Sequence, residues 1–157
     1  MSTEENSSIR EQALHPEKAV QREQESEGSN DPVQLAEPLD DRIYRALLAA
    51  ADKKAIAPIV LDLRKIATFT DFFVITSGAN VRQVQAIADA VVEQLKSTGD
   101  RAARVEGYNT AEWVLVDYGD FIFHIFDDKS RKFYDLERLW RDGSRILLSP
   151  ELLGQGN

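Results

Sequence analysis

Residues 112–127 read EWVLVDYGDFIFHIFD, two apolar, β-rich runs separated by Gly119 and Asp120. Glycine in the first place of a two-residue loop suits a type II′ hairpin turn, because that position takes positive φ. The turn sets the register: Tyr118 faces Phe121, Val116 faces Phe123, and Val114 faces Ile125. Side chains alternate along a strand, so these residues share one side of the sheet. That side is wholly apolar or aromatic and is the expected core face. The other side sets Trp113 opposite Phe126, Leu115 opposite His124, and Asp117 opposite Ile122. It is large and apolar, yet it holds an acid and a histidine. Two readings fit it. In one, this face is also buried, with His124 a satisfied core histidine and Trp113 a packing residue. In the other, it stays partly open as a docking patch with an aromatic anchor and polar handles.

Upstream of the hairpin, Asp40 or Asp41 makes a good N-cap. Ile43, Leu47 and Ala50 then recur at helical spacing, predicting a helix to about Ala55, and Pro58 stops any continuation. Residues 59–63 (IVLDL) and 71–77 (DFFVITS) read as strands, joined by a connection over 65–70. Asn80 and Gln83 have the form of a capping box. Val84, Ile87, Ala88, Val91, Val92 and Leu95 follow as one apolar stripe, so a helix runs to about Ser97 and ends near Gly99. Residues 103–107 suit a brief edge strand. Residues 133–140 (FYDLERLW) read as a last helix, with Phe133, Leu136 and Trp140 along one face. Strands bracketing helices predict an α/β domain over residues 40–148: a mixed β-sheet packed by helices. Residues 149–157 are left as a short C-terminal tail.

Residues 1–39 are rich in Glu, Gln, Ser and Pro and contain no aromatic residue. Such a segment cannot bury enough apolar surface to offset its ordering entropy, so a disordered acidic tail is expected. Residues 13–27 allow transient helix, with nothing to give it a buried face. The net charge of −8 belongs mainly to this tail: residues 1–40 hold ten Asp and Glu against three Lys and Arg. The remainder holds seventeen against sixteen. A nearly neutral domain lacks the basic character of proteins that grip nucleic acid through phosphate, so sequence-specific nucleic-acid binding is not expected. No apolar run approaches the roughly 20 residues of a membrane span. The longest, 113–126, is broken by Asp117, Gly119, Asp120 and His124. The N-terminus lacks the basic start and apolar middle of a secretory signal and is too acidic for a transit peptide. A soluble, cytoplasmic protein is expected.

Chemistry is hard to place on this chain. It has no cysteine and two histidines, His15 and His124, far apart in sequence. That removes thiolate catalysis, Cys-based zinc sites and a His-rich metal centre. There is no Gly-x-Ser-x-Gly elbow. Ser77-Gly78-Ala79-Asn80 precedes a helix but lacks the Lys and the glycine spacing of a phosphate loop. Two-metal phosphoryl transfer needs carboxylates two apart on one strand, aimed at the same side. Asp62 instead stands alone between leucines, and Asp117 and Asp120 are split by the turn. Asp135 and Glu137 are two apart, but on a predicted helix, where that spacing diverges. No metal site and no cofactor site emerge, and the reading is a binding protein, not an enzyme.

Residues 59–95, then RVEGY at 104–108, then EWVLVDYGDFIFHIFD and FYDLERLW, closely resemble the ribosomal silencing factors, the RsfS or Iojap-related family. The likeness runs in order from about residue 41 to 145 and leaves the N-terminal forty residues outside. The resemblance implies a nucleotidyltransferase-like α/β fold without the catalytic carboxylates. It also implies binding to the large ribosomal subunit through ribosomal protein L-fourteen, on the face that the small subunit must approach. Bound there, such a protein blocks subunit joining and represses translation under nutrient limitation. Organelle relatives instead assist large-subunit assembly, and free members can form homodimers through some of the same surface. The residues matching the family's positions are Trp113, Leu115, Asp117 and His124, then Arg131, Tyr134 and Trp140. On this reading Trp113 is the aromatic anchor, Asp117 and Glu112 meet basic groups, and His124 is a hydrogen-bonding member of the patch. For Tyr134 and Trp140, helix packing fits as well as contact. Trp113→Ala is then expected to weaken binding by about 2 kcal/mol or more and to leave the fold intact.

Overall fold

The computed structural model describes residues 8–19 and 39–153. Two very short helices come first, α1 (Ile9–Leu14) and α2 (Pro16–Ala19), and the α/β domain begins at α3 (Asp41–Asp52). Asp40 caps α3 by accepting from the Arg42 amide at 2.8 Å, and Ile43, Ala46, Leu47 and Ala50 form its buried stripe. Strand β1 (Ile56–Asp62) starts three residues before the expected position, because a bulge carries the strand past Pro58. The register shifts between Ile56 and Ile59, and Ala57 takes a left-handed φ of +46°. Proline is tolerated within a strand at such irregular points.

Strand β2 (Phe72–Gly78) leads into α4 (Val81–Ser97). Asn80 accepts from the Gln83 amide at 2.8 Å, and the Gln83 side chain accepts from the Ala79 amide at 2.6 Å. The reciprocal half of the capping box is thus satisfied one residue early. Strands β3 (Arg104–Glu106), β4 (Trp113–Asp117), β5 (Phe121–Asp127) and β6 (Ser144–Arg145) complete the sheet, in the order β3-β4-β5-β2-β1-β6. Among the described strands only β2 and β5 pair in parallel, with α4 in the long connection between them. The β4–β5 register is the one read from the turn, with Trp113 against Phe126 and Leu115 against His124. Gly119 holds φ at +86°, as its place in the turn requires.

The sheet is buried on both faces. Val60, Val74, Val114, Val116, Phe121, Phe123 and Ile125 pack against α3 and α4. Leu61, Phe73, Ile75, Trp113, Leu115, Ile122 and Phe126 form a second core on the opposite face. Its cover is thinner: Leu63 and Ala67 from the β1–β2 connection, Leu136 and Trp140 beyond β5, and Ala13 from α1.

Three expectations are corrected. The segment 133–140 is not one helix: α5 (Asp128–Tyr134) and α6 (Leu136–Leu139) are separated by Asp135 in a left-handed conformation, φ 47° and ψ 55°. The break turns Phe133 away from Leu136 and Trp140, leaving it 78% exposed. Residues 150–153 are not a tail but a 3-10 turn whose Leu152 is buried in the first core. Residues 8–19 do find a buried face, with Ala13 fully enclosed and Ser8 capping α1 through the Glu11 amide at 3.1 Å. The remaining parts of the expected tails, 1–7, 20–38 and 154–157, lie outside the described residues. No helix among the described residues is long and apolar enough to cross a membrane.

Candidate functional site

The aromatic residues of the second face form a connected chain from the interior to the surface. His124, fully buried on β5, sits T-shaped to Phe73 at 4.5 Å between ring centroids. Its Nδ1 accepts from the Trp113 indole Nε1 at 3.0 Å, which makes the imidazole neutral with its proton on Nε2. Nε2 is itself buried, with no hydrogen-bond partner among the described residues. Burial, helped by the charge of Arg10, pushes the imidazole down to about 3, so it stays uncharged in ordinary conditions. The Trp113 ring stacks on Phe126 at 5.1 Å and meets Tyr134 at 4.7 Å. Tyr134, half-buried, in turn touches exposed Phe133 edge-on at 5.0 Å. Glu112, one residue before β4, is also exposed.

The α1 segment closes the inner end of this chain. The Arg10 guanidinium lies 4.5 Å from the Trp113 ring centroid and donates to the Trp113 carbonyl at 3.1 Å. Trp140 Nε1 donates to the Ala13 carbonyl at 2.7 Å. The open-patch reading of the hairpin face is therefore corrected for the protein in this conformation: Trp113, Leu115 and His124 are enclosed. The reason is that short elements beyond the hairpin and an N-terminal segment cover it, and nothing in the hairpin itself could reveal them.

The polar residues assigned to the patch are occupied internally. Asp117 is buried; its Oδ1 accepts from the Gly119 amide at 2.8 Å, stapling the turn, and its Oδ2 lies 3.8 Å from Arg104 on β3. Arg131 is buried too, and its donors fan across the end of the sheet. Nη1 donates to the Ile56 carbonyl and to Ser77 Oγ, both at 3.2 Å. Nη2 donates to the Ala57 carbonyl at 2.8 Å, and both Nη2 and Nε reach Glu137, at 2.9 and 3.2 Å. All five guanidinium N–H groups are thereby used. Arg131 pins the β1 bulge to α5 and α6, a structural role rather than a surface contact. Trp140 is buried as a packing residue. The groups left facing outward are Phe133, part of Tyr134, and Glu112. Helical spacing alone puts Phe133 on the core side; the local signal against it is Asp135, one of the few non-glycine residue types that visit left-handed φ.

Among the described residues, no three or more His, Asp or Glu side chains gather in a way that could hold a metal ion. Asp62 is engaged otherwise. Burial raises its carboxyl, but bonds from Arg64, at 3.0 Å from Nε and 2.8 Å from Nη2, outweigh this and hold it below the usual range.

Residues 36–155 match the profile of a family described as ribosomal silencing factor during starvation, RsfS. The chain is similar to the ribosomal silencing factor RsfS of Halalkalibacterium halodurans, at 40% identity over 66% of this chain and 88% of the relative. It is similar to the protein of the same name from Bacillus subtilis, at 40% identity over 62% of this chain and 82% of the relative. Its fold resembles a crystal structure from Chromobacterium violaceum, with a TM-score of 0.64 at 32% identity, covering 72% of this chain and 93% of the other. The family profile spans the whole α/β domain and the aromatic chain from His124 to Phe133, and the protein is a member of the RsfS family.

Proposed function

We propose that this protein is a cytoplasmic translation repressor that binds the large ribosomal subunit and silences it. Seated on ribosomal protein L-fourteen, it obstructs the approach of the small subunit and lowers translation when nutrients are scarce. The observation that carries this reading is the match of residues 36–155 to a family of ribosomal silencing factors. The exposed aromatic edge supports it. Phe133 is a large apolar side chain left in solvent beside Tyr134, and aromatic anchors of this kind dominate protein interfaces. On this reading Glu112, exposed one residue before β4, meets a basic group at the rim, and Trp113 backs the edge from within. The near balance of charge over residues 41–157 favours a protein partner over a phosphate backbone. A homodimer of the free protein, using some of the same surface, belongs to this reading.

Sedimentation on sucrose gradients tests it. Purified protein mixed with separated subunits is expected to co-migrate with the large subunit and to reduce the yield of joined ribosomes when small subunits are added. Migration at the top of the gradient, away from the large subunit, would defeat the proposal. Turnover of ATP with magnesium by the pure protein would point to an enzyme instead.

A further inference from the structure

The two faces of the sheet differ in what covers them. One is sealed by α3 and α4, of twelve and seventeen residues. The other depends in part on α1, six residues long, of which Ala13 alone is buried. A helix this short does not persist by itself, since nucleation outweighs the few bonds it gains. It is formed here because it is seated. The segment also lies outside the family match at 36–155, yet it occupies a face that the match encloses.

We infer that residues 8–19 are a self-ligand: in the free protein they occupy the Trp113–Trp140 end of the docking face, and the partner must displace them to bind there. The inference rests on the docking reading given above. The grip consists of replaceable contacts. A guanidinium covers the Trp113 ring, a main-chain carbonyl accepts from Trp140 Nε1, and a small apolar side chain is buried in the same core. A basic polypeptide surface carrying a small residue supplies the same set. Residues 20–38 join the segment to the domain, a length of chain that spans up to about 60 Å when extended, so the segment can leave its seat and stay attached. Tethered in this way it competes at a high effective concentration, and it tightens the requirement for a true partner. Trp113 is then buried when the protein is free and reachable when it is engaged.

Trp113 and Trp140 are the only tryptophans in the chain, and both touch the segment, so their emission reports its seating. In the full chain, Ala13→Asp places a carboxylate at a fully buried point and is expected to lift the segment. Tryptophan emission should shift to longer wavelength, with the circular dichroism of the domain unchanged. Affinity for isolated large subunits should rise about tenfold, as expected when a binding-competent state goes from minor to dominant. Arg10→Ala, at a side chain 32% exposed, should act in the same direction with a smaller change and decides the matter if Ala13→Asp does not fold. Unchanged emission in both variants would show that the segment is not seated on the tryptophans and would overturn the inference. Shifted emission with equal affinity for the subunit would overturn the self-ligand role alone. Binding by none of the three proteins would overturn the docking reading, and the self-ligand with it.

Discussion

The indole of Trp113 donates to the buried imidazole of His124 across the diagonal of the β4–β5 hairpin, at 3.0 Å. The bond ties the second core together and commits His124 to its neutral form. The other imidazole nitrogen carries its proton into an apolar box with no acceptor among the described residues. The one nitrogen that could take a second proton, Nδ1, is committed as the acceptor from Trp113 in a fully buried site, and this gives the fold a dependence on pH.

His124 is held down to about 3 by burial and by Arg10, against 6.5 when unfolded. Between those values the unfolded chain binds a proton that the folded chain does not, so stability falls as pH drops below about 6.5. The slope is about 1.4 kcal/mol per pH unit, or about 2 kcal/mol between pH 6.5 and pH 5. Urea unfolding at a series of pH values should show this loss, and His124→Gln should flatten it. Equal slopes in the two proteins would exclude His124 as the source.

Trp113→Ala should destabilise the fold by about 3–5 kcal/mol, the range for removing a buried large aromatic. This replaces the expectation of an intact fold, because Trp113 is 2% exposed and stacked on Phe126. Thermal or urea unfolding measures it. A loss below about 1 kcal/mol would mean that the indole is not packed as described.

Arg131→Lys keeps the charge but cannot reproduce a planar fork that reaches Ile56, Ala57, Ser77 and Glu137 together. Stability should fall by about 2–4 kcal/mol, because buried carbonyls and a carboxylate lose partners. Hydrogen exchange should speed up locally at the β1 bulge. A variant as stable as the parent would place Arg131 outside the structural network.

Phe133→Ala separates binding from folding. With its ring 78% exposed, the substitution should change stability by less than about 0.5 kcal/mol. Affinity for the large subunit should drop about tenfold or more, equivalent to about 1.4 kcal/mol. A folded variant that sediments with large subunits like the parent would remove Phe133 from the interface.

By itself the sequence determined the elements whose cause is local. The Gly119-Asp120 turn set the β4–β5 register, because a two-residue loop leaves no freedom in pairing. Asn80 and the stripe from Val84 to Leu95 placed α4, because capping and helical period act within a few turns. Only the tertiary structure decided which apolar faces are closed. The core that holds Trp113 also takes in Ala13 and Trp140, residues from opposite ends of the chain that meet through one hydrogen bond of sequence separation 127. The role of Arg131 was hidden for the same reason, since its acceptors at Ile56 and Ala57 exist only where the β1 bulge meets α5. The exposure of Phe133 turned on a single left-handed residue, Asp135. Local pattern says what a face is made of; what covers it is settled by chain segments that meet only on folding.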